Sequence, residues 1–197
     1  MEAIVNYKLE EFLVLEEIET IHNYLAILEH LLPAIEVNDP IYEDFPPIKI
    51  KPIKSLSFGV VTSIRQCFKE GSVEAICKAV ALVTGINEAE TLSFPIIDFY
   101  GIVSSIQHDL EQLTNMEVNA LHVDEEDPVL IEVQASERMA KFETLNLINS
   151  LAGDDVTKWK EIQELPYLTV FTKLVMDKEK AAINKDVNAV QERKQKQ

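Results

Sequence analysis

The stretch from Ser72 to Gly85 constrains the fold of this chain most. Val73, Ala75, Ile76, Cys77, Ala79, Val80, Ala81, Leu82 and Val83 lie between Ser72, a favourable N-cap, and Gly85, a favourable C′ stop. A short helix apolar on nearly every face must be covered on nearly every face, so this one reads as a central core helix. A second start signal follows. Asn87 with Glu90 three residues on makes a capping box, and Ser93 and Pro95 then open a long helix. That helix carries Phe99, Ile102, Val103, Ile106, Leu110 and Leu113 at spacings of three and four, one buried stripe.

The same period recurs along the chain. Ile18, Ile21, Leu25, Leu28 and Leu32 predict a helix over Leu15–Leu32, preceded by a short turn or helix around Leu9–Leu13 and ended by Pro33. Val60, Val61, Ile64 and Phe68 give the buried face of a helix over Ser57–Glu70, which Gly71 terminates. Met139, Phe142, Leu145, Leu147, Ile148 and Leu151 predict a helix over Ser136–Leu151, and Trp159 and Ile162 a short one over Val156–Glu164. A last helix, Pro166–Glu192, packs through Tyr167, Val170, Phe171, Leu174 and Val175, then thins beyond Met176 to the narrow stripe Ile183, Val187 and Val190. Val129–Val133 fits either an extended segment or the first turns of a helix.

Five of the eight prolines (Pro33, Pro40, Pro46, Pro47 and Pro52) fall within Pro33–Lys54 and exclude a regular helix there. Ile41, Phe45, Ile48, Ile50 and Ile53 recur between polar residues in this connector. It reads as a strand-like arm laid on a surface or another chain, or as a packed linker within one monomer. The fold class that follows is all-α: a helical bundle with an extended proline-rich arm near the N-terminus and a projecting C-terminal helix. Its segments are an N-terminal helical segment over 1–32, the arm over 33–54, a helical core over 55–176 and a polar helical extension over 177–197.

Charge narrows the function. Eighteen Lys and Arg stand against 34 Asp and Glu, a formal net charge of −16, which repels a phosphate backbone and points away from nucleic acid and anionic membranes towards a basic partner. No stretch approaches the roughly 18 apolar residues of a membrane span, and Met1-Glu2-Ala3 lacks the basic start of a signal peptide. A cytosolic site of synthesis is the expectation. Cys67 and Cys77, both in apolar helical patterns, read as buried thiols and not as a disulfide framework.

Chemical motifs are sparse. Glu19-x-x-His22 places a carboxylate and an imidazole on one helical face, as di-iron carboxylate bundles do, but those need a second copy of the motif and two further carboxylates, and this chain has no second copy. An exposed polar pair is the plainer reading. His122 beside Asp124, Glu125, Glu126 and Asp127 lacks the spaced oxygens and glycine of an EF-hand and reads as a solvated helix end. Neither a Gly-x-Ser-x-Gly elbow nor a phosphate-binding glycine run is present, so no catalytic residue, cofactor, metal or small-molecule substrate is assigned. The set Trp159, Tyr167 and Phe171 at a helix-Pro-helix corner fits a satellite core or a partner-binding hot spot.

Two stretches carry a resemblance. The run Ser55–Leu121, with Thr84-Gly85-Ile86-Asn87-Glu88-Ala89-Glu90 between core helices, resembles the small all-helical tail and neck accessory proteins of tailed bacteriophages, tail assembly chaperones among them. The corner Trp159 to Leu165-Pro166-Tyr167 is similar to a phrase near the end of the same proteins. The resemblance implies a non-catalytic role, either as a ring or adaptor subunit at the head-tail connector or tail, or as a tail or baseplate assembly chaperone absent from the mature particle. The N-terminal helix and arm depart from a minimal chaperone and favour a protein that stays in the virion, after assembly in the host cytoplasm. An acidic protein that occupies a basic host surface is a further reading. The expected partners are other phage structural proteins or copies of this chain. The candidate contact residues are Ile41, Phe45, Ile48 and Ile50 on the arm, Trp159 and Tyr167 at the corner, and Ile183, Val187 and Val190 on the last helix.

Overall fold

The computed structural model describes residues 7–34, 36–37, 48–122 and 131–195. Among them the chain is all-α. Its helices are α1 (Leu9–Leu13), α2 (Ile18–Leu28), α3 (Phe58–Glu70), α4 (Val73–Thr84), α5 (Ile96–Leu121), α6 (Ala135–Ala140), α7 (Thr144–Leu151), α8 (Trp159–Glu164) and α9 (Tyr167–Gln195). Strand structure among the described residues is one short antiparallel pair, β1 (Glu36–Val37) with β2 (Ile48–Lys49), in the register Glu36 to Lys49 and Val37 to Ile48. The helices group into two compact units, residues 1–56 with 60–113 and residues 57–59 with 114–197.

In the first unit α4 is bounded as its ends require. The Ser72 hydroxyl accepts from the Ala75 amide, and Gly85 takes a left-handed φ of 77° while its amide bonds back to Ala81. Ala75, Cys77, Ala79, Val80 and Val83 are buried, and Val73 at the first turn is exposed. Asn87 caps a 3-10 segment, Glu88–Ser93, and the buried hydroxyl of Thr91 there donates to the Glu88 carbonyl, so that this polar group is matched where it is buried.

The N-terminal segment docks on the start of α5 through backbone bonds. Leu9 donates to the Phe94 carbonyl at 2.9 Å and Ile96 to the Tyr7 carbonyl at 2.8 Å. These bonds bring Phe12, Leu28 and Ile96 into one buried cluster, with Tyr7, Leu15, Ile21, Tyr24 and Tyr100 packed on it. Further along α5 the Ser104 hydroxyl donates to the Leu31 carbonyl and the Ala34 amide to the Gly101 carbonyl. A Cβ on Gly101 would stand 3.3 Å from that of Ala34, a tight contact that glycine relieves. The Ile53 amide donates to the Asp109 carboxylate and the Lys51 amide to the Val83 carbonyl, which fixes the chain that leads into α3. The predicted helix over Leu15–Leu32 is shorter than its periodicity, because Glu29 to Leu31 close as tight turns before Pro33.

In the second unit Phe58 donates to the Leu165 carbonyl at 2.8 Å and Ser57 bridges Pro166. Gly59 lies against Gln163, where a Cβ would come within 3.0 Å of the Gln163 side chain. Tyr167 and Val170 of α9 are buried, with Ile148 and Ala152 of the α7 end. Of the open segment Val129–Val133, Val129 and Leu130 lie outside the described residues, whereas Ile131 and Glu132 are helical.

The predicted single helix Ser136–Leu151 is two helices. Glu143 adopts φ 46° and ψ −128°, and the Leu145 amide donates to the Phe142 carbonyl at 2.9 Å. This is a reverse turn with a left-handed first central residue, a place where glycine is ordinarily found. The turn shifts the helical phase, so Met139, Phe142 and Leu145, read from sequence as a buried face, are exposed, and Ile148 alone of that stripe is fully buried.

Two substitutions check these assignments. Ile102→Ala, at a side chain with 0% exposure, is expected to lower unfolding stability by about 2–5 kcal/mol in urea denaturation. Glu143→Gly removes the left-handed penalty and is expected to raise it by about 1 kcal/mol, a gain that a continuous helix across 143 would turn into a loss.

Candidate functional site

Helix α9 changes character along its length. Tyr167, Val170, Phe171, Leu174 and Val175 are buried or half-buried, whereas every residue from Glu179 to Gln195 is exposed. The exposed half is rich in Ala, Glu, Lys, Gln and Arg, strong helix formers, and Arg193 and Lys194 in the last turn suit the negative end of the helix dipole. Such a stretch is marginal as an isolated peptide, but here it continues a helix already nucleated by packing. Lys173 pairs with Asp177 one turn on, and the Lys178 ammonium donates to the Ala120 carbonyl at 2.9 Å, the last side-chain anchor before the exposed half.

Four apolar side chains interrupt this polar surface. Met176 is 52% exposed, Ile183 51%, Val187 46% and Val190 47%. Their spacings of seven, four and three bring them onto a stripe about 60° wide at 100° per residue, the narrow seam of a helix that pairs with another helix. Met176 extends the stripe read from sequence, where it marked only the point at which the helix thins. Charge changes with it: residues 177–197 hold six Lys and Arg against four Asp and Glu in a chain of net charge −16.

The corner before α9 is organised internally. Tyr167 is 2% exposed and its hydroxyl donates to the Glu117 carboxylate. Trp159 is half-buried, and its indole N–H donates to the Asn149 side-chain carbonyl at 3.2 Å while the Asn149 amide donates to Asp154. Asp155 caps the turn into α8 through the Thr157 hydroxyl and amide, and these hydrogen bonds, with Lys158 beside them, hold its carboxyl below the usual range. Because the folded value lies below the unfolded one, that contribution is present at neutral pH and is lost as pH falls through the depressed value.

Of the arm residues, Ile41 and Phe45 lie outside the described residues, and Ile48 and Ile50 are half-buried. The structure gives Trp159 and Tyr167, on either side of Leu165-Pro166, different partners, Asn149 and Glu117, and places Ile183, Val187 and Val190 on one exposed seam. The periodicity did not show that Met139, Phe142 and Leu145, before and after the turn at Glu143, are exposed.

The chemical groups are placed as follows. Glu19 and His22 are both exposed on α2, and among the described residues no three His, Cys, Asp or Glu side chains gather where they could hold a metal ion. His122 is exposed, and Asp124 to Asp127 lie outside the described residues. Cys67 and Cys77 are free and buried, and burial, partly offset by Lys78, pushes the Cys67 thiol up, away from the reactive thiolate. Burial also raises the Tyr100 hydroxyl, with the Glu29 carboxylate adding to the effect. Among the described residues no helix is long and apolar enough to cross a membrane.

No protein-family model, no curated protein and no solved structure matches this chain.

Tyr167→Phe keeps the buried ring and removes the bond to Glu117, so urea denaturation is expected to show a loss of about 1 kcal/mol. An unchanged midpoint would mean that water replaces the hydroxyl at no cost.

Proposed function

We propose that this chain is a non-catalytic structural or assembly protein of a tailed bacteriophage particle, a ring or adaptor subunit of the neck or tail that acts through contact with other particle proteins and copies of itself. The observation that carries the assembly reading is the apolar seam of α9. Three β-branched side chains and Met176 stand about half exposed on a helix that is otherwise polar, and a lone globular chain gains nothing from leaving them so aligned. The phage context rests on the resemblance of Ser55–Leu121 and of the Trp159–Tyr167 corner to tail and neck accessory proteins.

Assembly through such a surface uses no reacting group. The chain needs no cofactor, metal, nucleic acid or small-molecule substrate for it, and its acidity keeps subunits soluble until the seam is engaged. A tail or baseplate assembly chaperone would use the same seam transiently, and is separated from a ring subunit only by whether the protein remains in the finished particle.

Mass spectrometry of purified particles is the direct test. A stoichiometric component is expected. Presence during assembly with absence from the mature particle identifies the chaperone, and absence from both stages overturns the phage reading. Deletion of Glu179–Gln197, which spares the Lys178 bond to Ala120, is expected to leave the thermal midpoint of the remaining chain nearly unchanged and to abolish incorporation, because residues 179–195 are exposed.

A further inference from the structure

The seam of α9 has the two-row form of a coiled-coil stripe. Met176, Ile183 and Val190 repeat at intervals of seven in one row, and Lys180, Val187 and Lys194 in the other, alternating at three and four. From Met176 to Lys194 the stripe is about 28 Å long at 1.5 Å per residue. The side chains beside it are Asp177, Glu179, Asn184, Asp186, Gln191 and Arg193.

The two lysines within the seam decide which pairing is favourable. In a parallel pair each row meets its own copy, so Lys180 would face Lys180 and Lys194 would face Lys194, two like-charge layers in a short interface. Flanking residues would give no relief, because Glu179 would lie beside Asn184 and Asp186 beside Gln191.

In an antiparallel pair the rows cross over. Ile183 then packs on Val187 of a second copy twice, forming the apolar centre. Lys180 lies over Val190 and Lys194 over Met176, so each lysine stem covers an apolar side chain while its ammonium reaches water. Glu179 stands beside Arg193 of the second copy, twice by symmetry. The one unfavourable contact is Asp186 against Asp186 across the two-fold axis.

We propose that α9 pairs antiparallel with α9 of a second copy of this chain, through Ile183, Val187 and Val190, with Glu179 and Arg193 selecting the orientation. The occupant is a second copy because this segment carries a charge complement of its own: it is slightly basic where the chain as a whole is strongly acidic, and on reversal Glu179 of each copy meets Arg193 of the other. A basic foreign helix would meet Lys180 and Lys194 in the seam. The interface is small, so the pair is in exchange with monomer and depends on concentration.

The proposal needs only purified full-length protein and stands apart from the particle in which the chain works. Sedimentation velocity from about 1 µM to about 500 µM, the span of weak association, is expected to show the average mass rise to that of the dimer. Val187→Glu is expected to hold the chain at monomer mass with its thermal midpoint unchanged, because that side chain is about half exposed in the single chain.

Two cysteine variants read the orientation. Asp186→Cys faces its own copy across the two-fold axis of the antiparallel pair and is expected to be linked into a dimer by a short bis-maleimide, whereas Lys180→Cys, which lies about 15 Å along the pair from its copy and faces itself only in a parallel pair, is expected not to. The native Cys67 and Cys77 are buried and serve as the background. A wild-type chain that stays monomeric across the range overturns the proposal in favour of a different partner. So does a Val187→Glu chain that associates as wild type does. Crosslinking through Lys180→Cys without crosslinking through Asp186→Cys overturns the antiparallel arrangement.

Discussion

Helices leave amides and carbonyls unpaired at their ends, and most of this structure depends on where those groups find partners along α5. In the first unit Asp109 receives the Ile53 amide, the Gly101 carbonyl receives the Ala34 amide, and Ser104 and Ser105 donate to the carbonyls of Leu31 and Ala34. In the second unit Glu117 accepts from Tyr167 and the Ala120 carbonyl from Lys178. The first unit thus fastens irregular chain to α5, and the second fastens the start of α9 to the C-terminal turns of α5. In the first unit the buried stripe of Phe99, Ile102 and Ile106 supplies apolar area, and the polar contacts of that unit fix which of its segments share it.

The same accounting separates the two halves of α9. Its first turns are consumed by packing and by the Tyr167 bond, while the residues from Glu179 to Gln195 are all exposed. The exposed half keeps a narrow apolar seam with lysines set into it, which limits promiscuous hydrophobic contact and favours a partner able to shelter the lysine stems. The aromatic corner is the contrasting case. Trp159 and Tyr167 have the chemistry of interface residues, yet both polar groups are satisfied inside the chain, by Asn149 and Glu117.

Much of this was legible in the residues alone. The helix α4 ends where Ser72 and Gly85 say it should, because a hydroxyl cap and a left-handed glycine act locally. Likewise α3 stops at Gly71, and α5 follows the Asn87 cap and Pro95. The seam on α9 was also readable, since three- and four-residue spacing is a property of the chain and not of its neighbours. What was not readable was the turn at Glu143. Lys141-Phe142-Glu143 contains no glycine or proline, and the apolar spacing runs straight through it, so nothing local announces a break.

The sequence by itself therefore determined the helical class, the positions of the caps at α4 and which residues face together on each unbroken helix, because these follow from backbone geometry and side-chain period over a few residues. Only the tertiary structure decided which of those faces are covered. Tyr167 and Val187 each sit on an apolar stripe of one helix, on nearly opposite faces, but the first is buried against its own chain and the second is about half exposed. That difference depends on segments distant in sequence, such as Glu117 against Tyr167, and the periodicity of a single helix carries no record of them.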